Sequence, residues 1–75
     1  MKLKIMSDYL DFLKAVDSCA ADVYFHSSEG DHLNLKSTFC QYLFASVCKD
    51  RAYLEGGSVE CAEPGDYARL DAFLT

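Results

Sequence analysis

The chain has 75 residues, of which 51% are hydrophobic, and its 12 acidic and 7 basic residues give a formal net charge of −5. This length predicts one small domain over residues 1–75, and the apolar content argues against disorder. The negative charge disfavours nucleic acid and anionic membranes as partners. No apolar stretch approaches the ~20 residues of a membrane span, and no long apolar segment suggests a signal peptide, so we expect a cytoplasmic protein.

Cysteine spacing gives little support for disulfides or for a zinc site. The four cysteines are Cys19, Cys40, Cys48 and Cys61, and they contain no Cys-x-x-Cys pair. Two of them, Cys40 and Cys48, lie in an apolar segment, where a free thiol packs as a small hydrophobic group. We therefore predict reduced, buried thiols and assign no metal ligand.

The first strand and the first helix are predicted from two different periodicities. Met1–Met6 alternates Leu3 and Ile5 with lysines, which is typical of a strand with one buried face. Ser7 is expected to cap a helix that ends near Ser18. The apolar stripe of this helix is predicted to be Tyr9, Phe12, Leu13 and Val16.

Residues 22–26 and 32–35 predict two further strands, because apolar and polar side chains alternate in both. The polar segment 27–31 between them is rich in turn-forming residues, so a hairpin is expected. Val23 and Phe25 are predicted to face the core.

The second half of the chain predicts two more helices and one more strand. Ser37 stands where an N-cap belongs, directly before an apolar run. The inward stripe of this second helix is predicted to be Phe39, Tyr42, Leu43 and Val47. Residues 49–51 could form a loop, or the helix could continue to Leu54. A strand at 58–62 and a closing helix after Pro64 follow.

The element order is therefore β-α-β-β-α-β-α. Each helix has an apolar face and each strand alternates, which is typical of α+β proteins. We predict a two-layer open-faced sandwich, in which three helices cover one face of a four-stranded, mainly antiparallel sheet.

Two stretches carry a likeness to a known family. Leu33-Asn34-Leu35-Lys36-Ser37 places Lys-Ser at the start of the second helix, and Val59-Glu60-Cys61-Ala62-Glu63-Pro64-Gly65-Asp66 runs from the last strand through an acidic turn. In these stretches, and in element order over nearly the whole chain, the sequence resembles HPr, the small phosphocarrier protein of the bacterial sugar phosphotransferase system. The resemblance implies the strand order 1-4-2-3.

The chain departs from the HPr family at the carrier site. That family has a phosphorylated histidine after its first strand, in a Gly-Leu-His-Ala-Arg-Pro type motif, whereas Ile5-Met6-Ser7-Asp8-Tyr9 contains neither His nor Arg. The segment 49–57 also looks longer than the family's connection. The resemblance therefore implies a non-catalytic regulatory or protein-interaction module without a cofactor. A small ligand-binding or dimerising α+β domain, similar to HPr in topology only, remains the alternative.

Ser37 is the candidate modification site. In the HPr family the matching serine is phosphorylated by an ATP-dependent kinase. A phosphate at a helix N-terminus would meet free N–H groups and the positive end of the dipole, and Lys36 would add charge. A plain N-cap explains the serine without any modification, and this is the favoured interpretation.

The second helix is also the candidate docking surface for an unidentified protein partner, since it holds more apolar residues than one stripe can bury. The surface is predicted to comprise Lys36, Ser37, Thr38, Cys40 and Phe44. Alternatively, residues 49–57 fold back and cover the excess. The oligomeric state is left open.

The two histidines flank the predicted turn. His26 and His32 alternate out of phase with the inward residues, so they are expected on the solvent side of the sheet, where they could pair and hold a metal with Glu29 or Asp31. Unliganded surface histidines are the commoner arrangement, so no metal site is assigned. No nucleophile–base pair or paired-acid pattern can be read from the spacing, and no catalytic residue is assigned.

Overall fold

The structure is a computed structural model that describes residues 2–4, 9–47 and 50–75. These residues form a small compact α+β domain with a three-stranded antiparallel sheet. Its elements are α1 Leu10–Asp17, β1 Val23–His26, β2 His32–Asn34, α2 Thr38–Val47, α3 Arg51–Leu54, β3 Ser58–Cys61 and α4 Tyr67–Leu70, with 3-10 turns at Pro64–Asp66 and Asp71–Phe73. Within the described ranges, no helix has the length and apolar character to cross a membrane.

β1 is the central strand, and it pairs antiparallel with β2 on one side and β3 on the other. The predicted hairpin between β1 and β2 is confirmed. The Ser27 hydroxyl accepts hydrogen bonds from the backbone N–H groups of Glu29 at 3.2 Å and Asp31 at 3.0 Å. Gly30 has a φ of 93°, which an L residue rarely adopts. The turn therefore satisfies its own backbone and fixes the register of the hairpin.

The two faces of the sheet differ in burial, as the alternation predicts. Val23 and Phe25 of β1, with Val59 and Cys61 of β3, are buried on the covered face. The other face is open, and it carries Tyr24, His26, His32, Asn34, Ser58 and Glu60. Because successive side chains on a strand point to opposite faces, one register fixes both sets.

Aromatic rings join the helices to the covered face. The apolar stripe of α1 is confirmed, since Phe12 and Val16 are fully buried. The ring of Phe44, in α2, lies with its centroid 5.9 Å from Phe12, 5.7 Å from Tyr9 and 5.3 Å from Phe25. Phe44 therefore contacts α1, the segment before it and the central strand at one point of the core.

The prediction of a four-stranded sheet is not met by the described residues, which form three strands. Lys2 makes a single bridge with Ser58 of β3, while Leu3 makes one with Leu74 near the C-terminus. The segment thus divides its pairing between two partners, so a continuous ladder does not form at these residues. The other predicted members of this strand, Ile5 and Met6, lie outside the described residues.

The prediction of three helices is also wrong for the described part of the chain, which contains four. The Asp50 carboxylate accepts hydrogen bonds from the N–H groups of Ala52 at 3.0 Å and Tyr53 at 3.3 Å, so it begins α3 as a separate helix. The predicted closing helix is divided into α4 and its flanking 3-10 turns. α1 begins at Leu10, and the expected cap, Ser7, lies outside the described residues.

The cysteines within the described ranges are free, as expected. Cys19 and Cys61 are buried, Cys40 is half-buried, and Cys48 lies outside the described residues. Burial, with smaller contributions from Cys19 and Asp66, raises the pKa of the Cys61 thiol to about 11. The thiol therefore stays protonated at neutral pH and is a weak nucleophile.

A buried carboxylate ties the loop after α1 to the turn before α4. Asp66 is 2% exposed, and its two oxygens accept hydrogen bonds from the N–H groups of Ala20 and Ala21, each at 3.0 Å. The Ala20 bond, followed by the Ala21 bond and the charges of Arg69 and Lys36, holds the pKa of the Asp66 carboxyl below its usual value of 3.8, although burial opposes this. Its ionised form therefore stabilises the fold.

We expect Asp66→Asn to destabilise the protein at neutral pH, and the difference from wild type to shrink in acid. Because the folded-state pKa is lowered, this stabilisation is present above the unfolded-state value and is lost as the pH falls through the folded-state value. Urea denaturation at about pH 7 and about pH 3 measures both differences, with Asp71→Asn as an exposed control. Equal differences at the two pH values would mean that the Asp66 charge contributes nothing.

Candidate functional site

Lys36, a predicted docking residue, binds the end of another helix. Its Nζ donates to the carbonyl oxygens of Cys19 at 2.9 Å, Asp17 at 3.1 Å and Val16 at 3.4 Å. These carbonyls lie at the C-terminus of α1, where a cation is favourable. The ammonium group of Lys36 is therefore hydrogen-bonded to the C-terminal end of α1.

Ser37 occupies the N-cap position of α2, as predicted. Its Oγ accepts from the N–H of Cys40 at 3.5 Å, and its carbonyl oxygen accepts from the N–H of Gln41 at 2.9 Å. The side-chain amide of Gln41 donates to Asp17 at 2.6 Å and to the Leu35 carbonyl at 2.8 Å. The start of α2 is thus held against the end of α1, and Ser37 is half-buried there.

Phe44 does not belong to the exposed surface, so the prediction that it takes part in docking is wrong. Its side chain is 0% exposed. Of the other predicted docking residues on α2, Thr38 is exposed and Cys40 is half-buried. The helix is rotated about its axis relative to the prediction, because the ring of Phe44 fills the space between Phe12 and Phe25.

The excess apolar surface predicted for this helix exists, but on other residues. Phe39 is 69% exposed, Tyr42 is 77% exposed and Leu43 is 37% exposed. These three residues, here called the α2 surface, occupy neighbouring turns at spacings of three and four residues. α2 contains no charged residue from Thr38 to Val47. Uncharged, exposed aromatic surface is typical of protein-binding sites.

A groove of about 330 Å³ adjoins the α2 surface, with Leu43 common to both. It lies between the hairpin, the C-terminal half of α2 and α3. Its lining residues are Asp31, His32, Leu33, Leu43, Val47 and Tyr53. The Asp31 carboxylate lies at the rim of this otherwise largely apolar groove. It accepts a hydrogen bond from the Tyr53 hydroxyl at 3.1 Å.

Residues 50–57, the described part of the segment after α2, fold back on the core without covering the α2 surface. Leu54 is 2% exposed, and the ring of Tyr53 lies 6.1 Å from that of Phe25. Phe39 and Tyr42 are nevertheless the two most exposed large apolar side chains that the structure describes. The prediction that residues 49–57 cover the excess is therefore wrong for these two side chains.

A polar cluster on the open face of the sheet brings the two histidines together. The Nδ1 atoms of His26 and His32 are in hydrogen-bond contact, with ring centroids 4.6 Å apart. On the far side of the ring, His26 Nε2 bonds the carboxylate of Glu60 at 2.8 Å. The histidines lie on the solvent side of the sheet, as expected, and they pair across the hairpin, which the sequence had left as a possibility.

The carboxylate in this cluster differs from the one expected. Asp31 bonds Tyr53, whereas Glu60 reaches His26 from β3. Glu60 could have been found from the sequence, because Val59 and Cys61 point inward and a strand beside β1 then turns Glu60 toward the histidine face. Among the described residues, no group of three or more His, Cys, Asp or Glu side chains is arranged to hold a metal.

Comparison of the chain with protein-family models, with curated proteins and with solved structures finds no match. The described residues that bear on function are therefore those of the α2 surface, the groove beside it and the histidine cluster.

Proposed function

We propose that this chain is a non-catalytic protein-interaction module that docks its partner on the α2 surface and the adjoining groove. One observation carries the proposal. Phe39 and Tyr42 are 69% and 77% exposed, on a helix that contains no charged residue, in a chain of net charge −5. Keeping two aromatic rings in water gains nothing for folding, whereas aromatic rings dominate the energetics of protein interfaces.

The groove and the charge define the chemistry of the partner. An apolar side chain of the partner enters the groove beside Leu43, and a basic side chain of the partner pairs with Asp31 at its rim. The net charge of −5 favours a basic protein and raises its association rate. The same charge is the reason why neither nucleic acid nor an anionic membrane is proposed.

The resemblance to HPr supports this assignment and adds a regulatory site. In that family the start of the second helix is a docking surface, and here Ser37 lies directly before α2, two residues before the exposed Phe39. The implied order 1-4-2-3 numbers the four predicted strands along the chain, so β1, β2 and β3 correspond to its strands 2, 3 and 4. The observed order β3-β1-β2 agrees with the 4-2-3 part, and on this proposal the N-terminal segment is strand 1. On this proposal the protein is a cytoplasmic HPr relative without carrier activity, and phosphorylation of Ser37 places a dianion beside the α2 surface.

A dimerising domain is the second candidate, and it rests on the same helix. Because α2 has no charged residue, two copies could pack α2 against α2 without charge repulsion at the contact. The negative charge of the whole chain opposes this association, which is why a basic partner is preferred. Light scattering of the purified protein at rising concentration separates the two, since only self-association gives a molecular mass that doubles.

Site-specific photo-cross-linking tests the docking surface. A photoreactive phenylalanine analogue at position 42 is expected to capture a partner in the cells that make the protein, and the same probe at position 10 is not. Leu10 is the matched control, because it is 56% exposed on α1. Once the partner is purified, calorimetry with Tyr42→Ala should give an affinity at least about 30-fold lower, as for an interface hot spot of 2 kcal/mol.

Control variants distinguish specific docking from nonspecific hydrophobic association. Leu10→Ala should leave the affinity unchanged, and Asp31→Asn should weaken binding in proportion to the basic character of the partner. Ser37→Asp should change the affinity while Thr38→Asp, at the adjacent exposed position, does so less. Equal capture by the probes at positions 10 and 42, or an affinity insensitive to Tyr42→Ala, would remove the proposal.

A further inference from the structure

The open face of the sheet carries a polar cluster that shares only His32 with the groove of the proposed docking site. His26 and His32 are directly opposite each other on β1 and β2. Along the same ladder, the N–H of Ser27 donates to the carbonyl of Asp31 at 2.9 Å, and the N–H of Leu35 donates to the carbonyl of Val23 at 2.7 Å. By the alternation of antiparallel ladders, the histidines occupy a non-hydrogen-bonded pair, in which side chains approach most closely.

The hydrogen-bond partners fix which nitrogen of His26 holds a lone pair. The Glu60 carboxylate can only accept, so His26 Nε2 donates to it at 2.8 Å. A neutral imidazole has one protonated nitrogen, so the lone pair of His26 lies on Nδ1, facing Nδ1 of His32. In the hydrogen-bonded pair, His32 supplies the proton between the two rings.

We propose that His26 and His32 bind a divalent transition-metal ion of the imidazole-preferring class, Zn²⁺, Cu²⁺ or Ni²⁺, through their Nδ1 atoms. When the proton of His32 moves from Nδ1 to the exposed Nε2, both lone pairs converge on one point, and the metal replaces the shared proton. Water completes the coordination. In a tetrahedral site, zinc–nitrogen bonds of about 2.0–2.1 Å would place the two Nδ1 atoms ~3.3 Å apart. Small rotations of the two histidine side chains would bring the nitrogens to this separation.

The surroundings of the pair favour a cation. A carboxylate on the far nitrogen of a ligating histidine orients the ring, and Glu60 occupies this position relative to His26. The ring of Tyr24 lies nearly parallel to His26, 6.3 Å away, and supports its orientation. The segments that contain the three strands, residues 20–35 and 52–68, carry no Lys or Arg that would repel a cation. The strand register adds one basic residue to this face, Lys2, which is bridged to Ser58.

Titration with ZnCl2 and CuCl2, followed by calorimetry, tests the site. Cys40→Ser and Cys48→Ser are made first, so that neither the half-buried thiol of Cys40 nor the thiol of Cys48 competes for the metal. We expect one ion per chain and, at a metal concentration 100 times the dissociation constant, a melting temperature raised by roughly 10 °C or more. Electron paramagnetic resonance of bound Cu²⁺ should show two nitrogen ligands.

Variants on the open face separate ligands from bystanders. His26→Gln and His32→Gln should each lower the affinity at least about 10-fold and leave one nitrogen ligand, and Glu60→Gln should lower it by roughly 10–100-fold while keeping both nitrogens. Asp31→Asn, next to His32, is the control and should bind normally. Circular dichroism checks that each variant is folded. Absence of a thermal shift with either metal, or unchanged affinity in His32→Gln, would show that the histidines form a hydrogen-bonded pair only.

Discussion

Replacing Phe44 with alanine is expected to lower the free energy of unfolding by about 3–5 kcal/mol. The side chain is 0% exposed, and its ring contacts those of Tyr9, Phe12 and Phe25. Removing the ring loses its burial and leaves a cavity between α1, α2 and β1, because rings held by other contacts cannot collapse into it. For a domain of this size, the loss corresponds to a melting temperature lower by roughly 12 °C or more.

Two further variants make this measurement decisive. At about 0.05–0.15 kcal/mol per residue, the whole domain is stable by only about 4–11 kcal/mol, so Phe44→Ala could leave it unfolded. Phe44→Leu keeps most of the volume and should cost about 1–2 kcal/mol, which thermal denaturation can follow. Tyr42→Ala, two residues earlier and 77% exposed, should change stability by less than about 0.5 kcal/mol. If Phe44→Ala were as stable as Tyr42→Ala, Phe44 would have to lie on the surface.

The rotation of α2 shows where sequence periodicity stops being informative. The helix has apolar residues on nearly every side, including Phe39, Leu43 and Phe44, so a stripe can be drawn through more than one set. The sequence predicts correctly that some apolar side chains must stay outside. Which ones do so depends on the rings of Phe12 and Phe25, which approach α2 from distant parts of the chain.

Features that depend on residues close in sequence can be predicted from the sequence more reliably than contacts between distant residues. The hairpin, its outward histidines and the N-cap at Ser37 follow from alternation and turn chemistry within a few residues. The partners of Lys36 lie 17–20 residues away, and Glu60 lies 34 residues from His26. Such pairs depend on which strands and helices become neighbours, and that is decided by packing of the whole chain.

Gly57→Ala is expected to lower the free energy of unfolding by about 1–3 kcal/mol. Gly57 is buried just before β3, and a Cβ added there would lie 2.5 Å from Cζ and 2.7 Å from Cε1 of Phe25, and 3.1 Å from the carbonyl oxygen of Leu54. The ring of Phe25 cannot move aside, because Phe44 and Tyr53 pack against it. Gly57 is therefore required by a close approach of the central strand's aromatic ring.

A double-mutant cycle identifies the ring as the cause. Phe25→Leu removes the atoms nearest the added methyl group, so Gly57→Ala should cost less in that background, with a coupling free energy of about 0.5–3 kcal/mol. Gly65→Ala is the control, because its Cβ would meet no described atom closer than 3.6 Å, and it should change stability by no more than about 0.5 kcal/mol. Additive effects of Gly57→Ala and Phe25→Leu would place the strain at the Leu54 carbonyl, and a neutral Gly57→Ala would show that the ring does not pack over this glycine.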